Sequence, residues 1–336
     1  MKGRFVQSGA VSVRSLPDNG LILFQADNNR ERVLNESGAF IWSQLSLPTT
    51  AETTAAALAG EFEVSPEDAL VDVREYLRLL AEEGFVETNP SPSHSPFPIA
   101  WEAAPTHVDI AITGKCNLAC KYCFFAKEME TREDLPTKAW LTFFYELERC
   151  AVRSVCLSGG EVFIRPDIFE LIDGIVEARL RYSILSNGGL IDSDVIKKLS
   201  DNKRRKRLNS IQISLDGASA EVHDSLRGEG SFESALFALR ALKEAGLPIT
   251  CRVTIHKHNL EDLPQLAALL LDDIGLPSFS TNEAAALGSC REEENIQLSP
   301  KERLRAMELL VPLSAQYQGR VTAQGGPFAL YRIFKE

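Results

Sequence analysis

No run in this 336-residue chain approaches the ~18 consecutive apolar residues of a membrane-spanning helix. The opening MKGRFVQSGAVSVRS lacks the apolar core of a secretory signal. Basic excess is missing too: 36 Lys and Arg stand against 47 Asp and Glu, a net charge of −11. Phosphates repel such a chain, which argues against nucleic acid and anionic membrane as general partners. Cysteine pairing also fails, because the seven cysteines are an odd number and three of them crowd into eight residues. That makes a poor disulfide framework and a good metal-ligand or redox pattern, and it implies a reducing, cytoplasmic home. What the composition supplies is ordinary: 44% hydrophobic and 25% charged residues, which excludes wholesale disorder. The length suits two or three domains.

One composition break stands out. Residues 88–98 read TNPSPSHSPFP, with four prolines in eleven positions. Proline fixes φ and lacks an N–H, so this stretch joins neither a helix nor a central strand and reads as an extended linker, taken as 88–104. Ahead of it, residues 1–87 hold three short strand patterns at 11–16, 21–25 and 32–34, separated by PDNG and DNN turns. Three helices follow. Asn35 caps the first, Thr49 with Glu52 forms a capping box for the second, and Ser65-Pro66 opens the third, which Gly84 ends. Phe85-Val86 then reads as a short wing. The layout is a small α+β winged-helix domain.

Residues 105–285 alternate strand and helix. Apolar runs at 107–112, 154–157, 182–185, 211–215, 249–255 and 278–282 are separated by amphipathic stretches. This argues for an α/β fold with a parallel sheet and right-handed crossovers. Six units are two short of a closed eight-fold barrel, so a partial (β/α)6 TIM-like barrel is expected. Residues 286–336 add a helical extension.

The most informative segment is KCNLACKYCFF at 115–125. Cys116, Cys120 and Cys123 follow directly on the first strand of this module, in the loop where such folds place their chemistry. A structural zinc wants four closed ligands, and no fourth Cys or His is near. A four-iron cluster normally takes four thiolates, so three leave one iron open for an exogenous ligand. Zinc and iron both stay open on spacing alone.

CxxxCxxC after the first strand, with an aromatic at Tyr122, resembles the radical S-adenosylmethionine (radical SAM) enzymes. Gly159-Gly160-Glu161 after the second strand resembles the family's GGE segment, and Ser186-Asn187-Gly188 ends the third strand. Ser214-Leu215-Asp216-Gly217 resembles the family's S-L-D-G, and His223-Asp224-Ser225-Leu226-Arg227-Gly228 the H-D-x-x-R-G of its peptide-modifying, SPASM-like branch. Val162 departs from the proline common after GGE, and Ser186 from a common threonine; neither removes a needed group.

The resemblance implies a [4Fe–4S] cluster on Cys116, Cys120 and Cys123, with S-adenosylmethionine chelating the open iron. Reductive cleavage yields a 5′-deoxyadenosyl radical that abstracts hydrogen from the substrate. It further implies cofactor contacts from Gly159, Gly160 and Glu161 to the methionine end, Tyr122 against the adenine, Asn187 and Ser214 to ribose or carboxylate, and Arg227. An electron donor such as a flavodoxin or ferredoxin is implied as a partner.

In the front module, LNESGAFIW at 34–42 and DVREYL at 72–77 resemble PqqD-like domains, which take the leader of a ribosomally made precursor peptide as an added strand. The groove is expected beside Val33, Leu34, Tyr76 and Leu80. The expected function is therefore radical SAM maturation of a precursor peptide by crosslinking, thioether formation, epimerisation or excision. The alternatives are a radical SAM enzyme acting on a protein or small molecule, and a non-catalytic iron–sulfur or zinc protein that delivers a peptide. Cys290 is the sole cysteine after Cys251. Auxiliary clusters are therefore expected only if the chain is incomplete, as the closing GGPFALYRIFKE suggests. Cys150, Cys156 and Cys251 are expected to be packing cysteines. The basic run 203–207 is expected after a helix, and His256 with His258 on a solvated barrel rim.

Overall fold

In the first strands, alternating apolar residues turn toward one core. β1 (Arg4–Gln7), β2 (Val11–Ser15), β3 (Leu21–Gln25) and β4 (Arg30–Leu34) open the chain, followed by α1 (Glu36–Gln44), β5 (Thr49–Thr50), α2 (Ala51–Phe62), α3 (Pro66–Glu82) and β6 (Val86–Thr88). The structure is a computed structural model that describes residues 3–89, 104–124, 133–293 and 295–326. Most of the proline-rich linker and the closing residues 327–336 lie outside these. β2, β3 and β4 pair antiparallel, with β4 at one edge. A second small sheet runs β5-β1-β6. Its central strand, β1, has no signature in the sequence beyond two adjacent apolar residues, too few to show a period.

Phe5, Leu23, Leu45, Leu77, Leu80 and Phe85 are fully buried in the shared core of these elements, which also encloses Trp42. Each such side chain contributes roughly 1.5–3 kcal/mol by leaving water. The helix starts follow the caps read from the sequence. Asn35 accepts from the Gly38 N–H, and Ser65 from the Asp68 N–H with Pro66 in the first turn. The second cap is shifted by one: Thr50, not Thr49, accepts from the Thr53 N–H, because α2 begins at Ala51, directly after β5 ends. Gly84, at φ +81°, turns the chain out of α3.

The larger sheet comprises β7 (His107–Thr113), β8 (Ser154–Gly159), β9 (Arg181–Ser186), β10 (Leu208–Ser214), β11 (Ile249–Ile255), β12 (Phe279–Glu283) and β13 (Val321–Ala323), hydrogen-bonded in that order. Pairing is parallel, so each connection is a crossover. The crossovers carry α4 (Thr137–Arg149), α5 (Ile168–Glu177), α6 (Ser193–Leu199), α7 (Asn202–Arg207), α8 (Ala220–Arg227), α9 (Ser231–Glu244), α10 (Leu263–Ala268) and α11 (Pro300–Gln316). The six expected strands are present. The seventh, β13, lies in the region read as a helical extension; three residues with one buried side chain, Val321, give no periodic signal.

Alternation along the strands sorts the two faces. On β11, Ile249, Cys251, Val253 and Ile255 are buried on the helix side, leaving Thr250, Arg252 and Thr254 for the concave side. On β10, Ile211 and Ile213 alternate in the same way with Gln212 and Ser214. The concave face is thus lined by polar groups rather than the branched apolar layers of a closed barrel. Cys156 and Cys251 are buried as expected, but Cys150 is only half-buried. Cys156 also differs from a packing cysteine in facing Asp109, which with burial pushes its thiol up to about 12.

By internal contacts the chain groups into two units. One holds the residues up to 108 with 141–154 and 174–181; the other holds 109–140, 155–173 and 182–336. Within the second, the basic run forms α7 and serves the fold: Arg204 pairs with Asp173 at 2.7 Å, and Arg205 donates to the Gly246 carbonyl. No described helix is long and apolar enough to cross a membrane.

Candidate functional site

The loop after β7 carries Cys116, Cys120 and Cys123, all half-buried and free. The Cys123 N–H donates to the Cys120 carbonyl at 3.1 Å, closing a turn between them. Two other segments clamp that turn. The Lys121 N–H reaches the Leu226 carbonyl of α8, and the Ser289 N–H reaches the Cys123 carbonyl at 2.9 Å. Gly288 makes the second clamp possible, since a Cβ there would lie 2.2 Å from the Cys123 oxygen.

Burial pushes the Cys116 thiol up and the Cys120 thiol to about 11. Cys120 lies within electrostatic reach of both other cysteines, so the three face one neighbourhood. Among the described residues, no three His, Cys, Asp or Glu side chains enclose a single metal ion.

The Gly159-Gly160 pair packs on the backbone of this same loop. The Gly160 and Glu161 N–H groups donate to the carbonyls of Thr113 and Lys115, both at 2.9 Å. A Cβ on Gly159 would sit 2.2 Å from the Thr113 oxygen, and one on Gly160 would sit 2.0 Å from the Lys115 oxygen. Gly159 also holds φ +134°, where L side chains are strained. The glycines therefore admit the backbone that leads into Cys116. Gly160→Ala should displace the cysteine loop and lower bound iron after reconstitution by at least about half, with a stability loss of roughly 1–3 kcal/mol from overpacking. Iron content equal to the parent's would show that the loop does not depend on this contact.

Glu161 is fully buried. One carboxylate oxygen accepts from Ser186 Oγ at 2.9 Å and from the Phe163 N–H; the other accepts from the Asn187 N–H at 2.7 Å. Burial pushes its carboxyl up against the pull of these donors. Asn187 is oriented in turn: its side-chain amide donates to Asn117 at 2.8 Å and lies 3.7 Å from Cys116 Sγ. Ser214 ends β10, half-buried and in register with Arg252.

Tyr122 and Arg227 meet on a residue that the sequence reading quoted but did not assign. Asp216, 1% exposed, follows β10. One carboxylate oxygen accepts from the Tyr122 hydroxyl and from Arg227 Nε at 2.5 Å; the other accepts from the Thr254 N–H at 2.7 Å. Its backbone N–H donates to His223 Nδ1, and its carbonyl accepts from Asn259 Nδ2. Although burial disfavours both charges, Asp216 stays below the usual carboxylate range and Arg227 above its own, because each holds the other ionised. The Arg227 guanidinium also lies over the Tyr122 ring, 5.4 Å from its centroid. Tyr122 is thereby tied to α8 and to the ends of β10 and β11. The S-L-D-G match carried the signal for Asp216; its partners come from distant segments.

His256 corrects the expected solvated rim. It is 1% exposed, its ring lies 5.6 Å from that of Tyr122, and neither ring nitrogen has a hydrogen-bond partner. His223 accepts at Nδ1, which assigns its proton to Nε2, also buried without a partner. Burial lowers both imidazoles to about 4. Their unfolded counterparts titrate near 6.5, so between about 6.5 and 4 the unfolded chain binds more protons. Stability should therefore fall with pH through that window, by up to about 3 kcal/mol per histidine. Thermal melts at pH 7 and 4.5 check this, and His256→Gln should flatten the slope. An unchanged slope would place His256 outside the linkage.

Residues 110–270 match the radical SAM superfamily, and residues 20–86 match the coenzyme PQQ synthesis protein D (PqqD) family. The chain is 36% identical to the mycofactocin maturase MftC of Mycobacterium ulcerans over 167 residues, covering 49% of this chain and 44% of that one. It is 28% identical to an AdoMet-dependent heme synthase of Methanosarcina barkeri over 240 residues, 71% of this chain and 66% of the other. It therefore spans less than two thirds of each of these relatives. In fold it resembles Streptococcus suis SuiB bound to its precursor peptide SuiA, with a TM-score of 0.67 at 18% identity over 98% of this chain and 75% of that one. With the cysteine loop, the glycine turn and the edge-stranded front sheet in place, these matches show that the chain carries a radical SAM domain preceded by a PqqD domain.

Proposed function

We propose that this chain is a radical SAM enzyme that modifies a ribosomally made precursor peptide. The observation that carries the reading is the presence in one chain of two parts: a three-cysteine loop at the mouth of a parallel sheet, and a front module whose β4 is an open edge among the described residues. Cys116, Cys120 and Cys123 would hold a [4Fe–4S] cluster, which with S-adenosylmethionine supplies reductive carbon–sulfur cleavage and a hydrogen-abstracting radical. The residues present do the rest. Gly159 and Gly160 let the second strand's turn support the cysteine loop. Glu161 orients the Ser186–Asn187 turn and is the acceptor proposed for the cofactor's ammonium. Asn187 and Ser214 present polar groups toward the concave face. Tyr122 is held by Asp216 together with Arg227, so these two act on the cofactor from one fixed cluster.

In the front module the structure divides the expected groove residues. Leu34 and Leu80 are core, Tyr76 is half-buried, and Val33 is 61% exposed on the edge strand. An unpaired edge beside an exposed apolar side chain is the arrangement that β-augmentation by a leader needs. An electron donor such as a flavodoxin or ferredoxin, and a cytoplasmic setting, belong to the same proposal.

The heme synthase match favours a second reading, chemistry on a small molecule. One experiment separates the two. The full chain, reconstituted anaerobically with iron and sulfide and reduced, is given S-adenosylmethionine with and without candidate precursor peptides drawn from the neighbouring reading frames. Formation of 5′-deoxyadenosine and methionine with a mass change in the peptide is expected. Cleavage without any peptide change would favour the small-molecule reading, and no cleavage would defeat both.

A further inference from the structure

Two side-chain carboxamides face the concave side of the larger sheet, one on either side of β11. Gln212, in mid-β10, lies opposite Thr250, and Asn282, on β12, lies opposite Thr254. Cross-strand partners share a face, so both amides stand on the side that Thr250 and Thr254 take, away from the helices. The burial of their neighbours agrees: Ile211 and Ile213 flank Gln212 at 0% exposure, and Thr281 beside Asn282 is equally sealed. The two threonines lie four positions apart on β11, which sets the amides about 13 Å apart along the strand.

Neither carboxamide is used within the fold. Gln212 is 7% exposed, and its side chain bonds to no described residue. Its amide atoms are not sealed in protein, so they open on the concavity. Asn282 is half-buried, and its Oδ1 is closed off from solvent without a partner. A third amide close by shows the contrast: Asn259 Nδ2 donates to the Asp216 and Thr254 carbonyls at 2.8 and 2.9 Å, and its Oδ1 accepts from the His256 N–H. A buried amide left unpaired has lost its hydration and gained nothing, so such groups are normally satisfied by protein or ligand. An apolar side chain of the same shape would fill either position without that cost. Packing therefore does not account for two carboxamides here. Whichever way each is turned, it offers a donor and an acceptor side by side, and carries no charge. A peptide unit offers the complementary pair.

We propose that Gln212 and Asn282 are substrate-binding residues that each hold one amide unit of the peptide's main chain within the concavity. This rests on the function proposed above and adds how the substrate is read there: by its backbone rather than by a side chain. The two stand too far apart to share one peptide unit, so each orients its own. Recognition of this kind tolerates changes of side chain in the segment it holds.

The test uses the reconstituted full chain with Gln212→Met and Asn282→Leu, and the precursor peptide that the parent modifies. Each substitution should raise the concentration of peptide needed for half-maximal processing by about tenfold, the effect of losing two neutral hydrogen bonds. Affinity for S-adenosylmethionine should match the parent's. Peptides with one amide at a time replaced by an ester then probe the backbone itself. At the position held by each residue, the ester should weaken binding to the parent by about fivefold and have no further effect in that residue's variant, whose partner group is already gone. Ligand-free, both variants should melt at or above the parent's temperature, because an unpaired amide has been removed. An unchanged peptide requirement would overturn the role of the residue concerned. A lower melting temperature of the ligand-free variant would overturn it too, by making the amide a packing group, and so would a loss of cofactor affinity in place of peptide affinity. If the parent modifies no peptide, it is the proposed function that fails, and N-acetyl-tetraalanine amide becomes the probe. It should raise the melting temperature of the parent more than that of either variant, and equal shifts in all three, zero included, would overturn the proposal.

Discussion

Replacing Cys116, Cys120 and Cys123 together by alanine should leave a colourless protein that binds no iron and forms no 5′-deoxyadenosine. The parent, reconstituted without oxygen, should be brown and hold about four irons, the complement of a cubane. The effect is expected to be total because no other described group offers a substitute set of ligands: Cys290 is fully buried among Leu226, Ala284 and Ile296, and Cys251 is sealed on the helix side of β11. The fold should survive. The three side chains are half-buried in a loop whose anchors are backbone bonds to Leu226 and Ser289, which alanine leaves in place. Iron and visible absorbance measure the first part, and the far-ultraviolet circular dichroism and melting temperature measure the second. Stoichiometric zinc in the parent with no iron chromophore would defeat the enzyme reading and leave the non-catalytic delivery protein standing.

The next largest effect should come from a single exposed residue far from the cysteines in sequence. Val33 sits on edge strand β4, paired to Ile22 on one side only. If a leader adds a strand there, Val33 becomes buried, and covering a valine contributes roughly 1.5–3 kcal/mol. Val33→Asp puts a charge under the incoming strand. It should raise the concentration of precursor needed for half-maximal processing by about tenfold or more, since each ~1.4 kcal/mol is a factor of ten. Uncoupled cleavage of S-adenosylmethionine should be unchanged. The folded front module should be unaffected as well, because Val33 lies outside its core while Leu34 lies within it. Equal processing of full-length precursor by the variant and the parent would mean that leader capture does not use this edge, and the module would be a packing element.

The two substitutions differ in how they are read from sequence. The cysteine motif announces itself because its three thiols come from one short loop, so their spacing is local. The glycine pair is local too. What the spacing does not show is the backbone packed against Gly159 and Gly160, that of Thr113 and Lys115, a crossing of two βα loops that adjacency in sequence does not reveal. Tyr122 was read as an aromatic face beside the cysteines. Its hydroxyl has a buried partner 94 residues away, Asp216, and that bond was invisible until β10 was placed.

Local rules therefore determined much of this protein from the sequence alone: the helix starts at Asn35 and Ser65, six strands of the larger sheet, and the gathering of Cys116, Cys120 and Cys123 in one loop after β7. Each rests on neighbours within a few positions, where propensity, capping and ligand spacing act. β1 and β13 needed the tertiary structure, being strands of four and three residues whose stability comes from the partners they pair with. The burial of His256 and the joining of Tyr122, Arg227 and His223 on Asp216 also needed it. Burial and charge pairing depend on which strands lie side by side and which face each residue takes. A strand's period of two assigns that face only once the sheet's curvature has made one side a lumen.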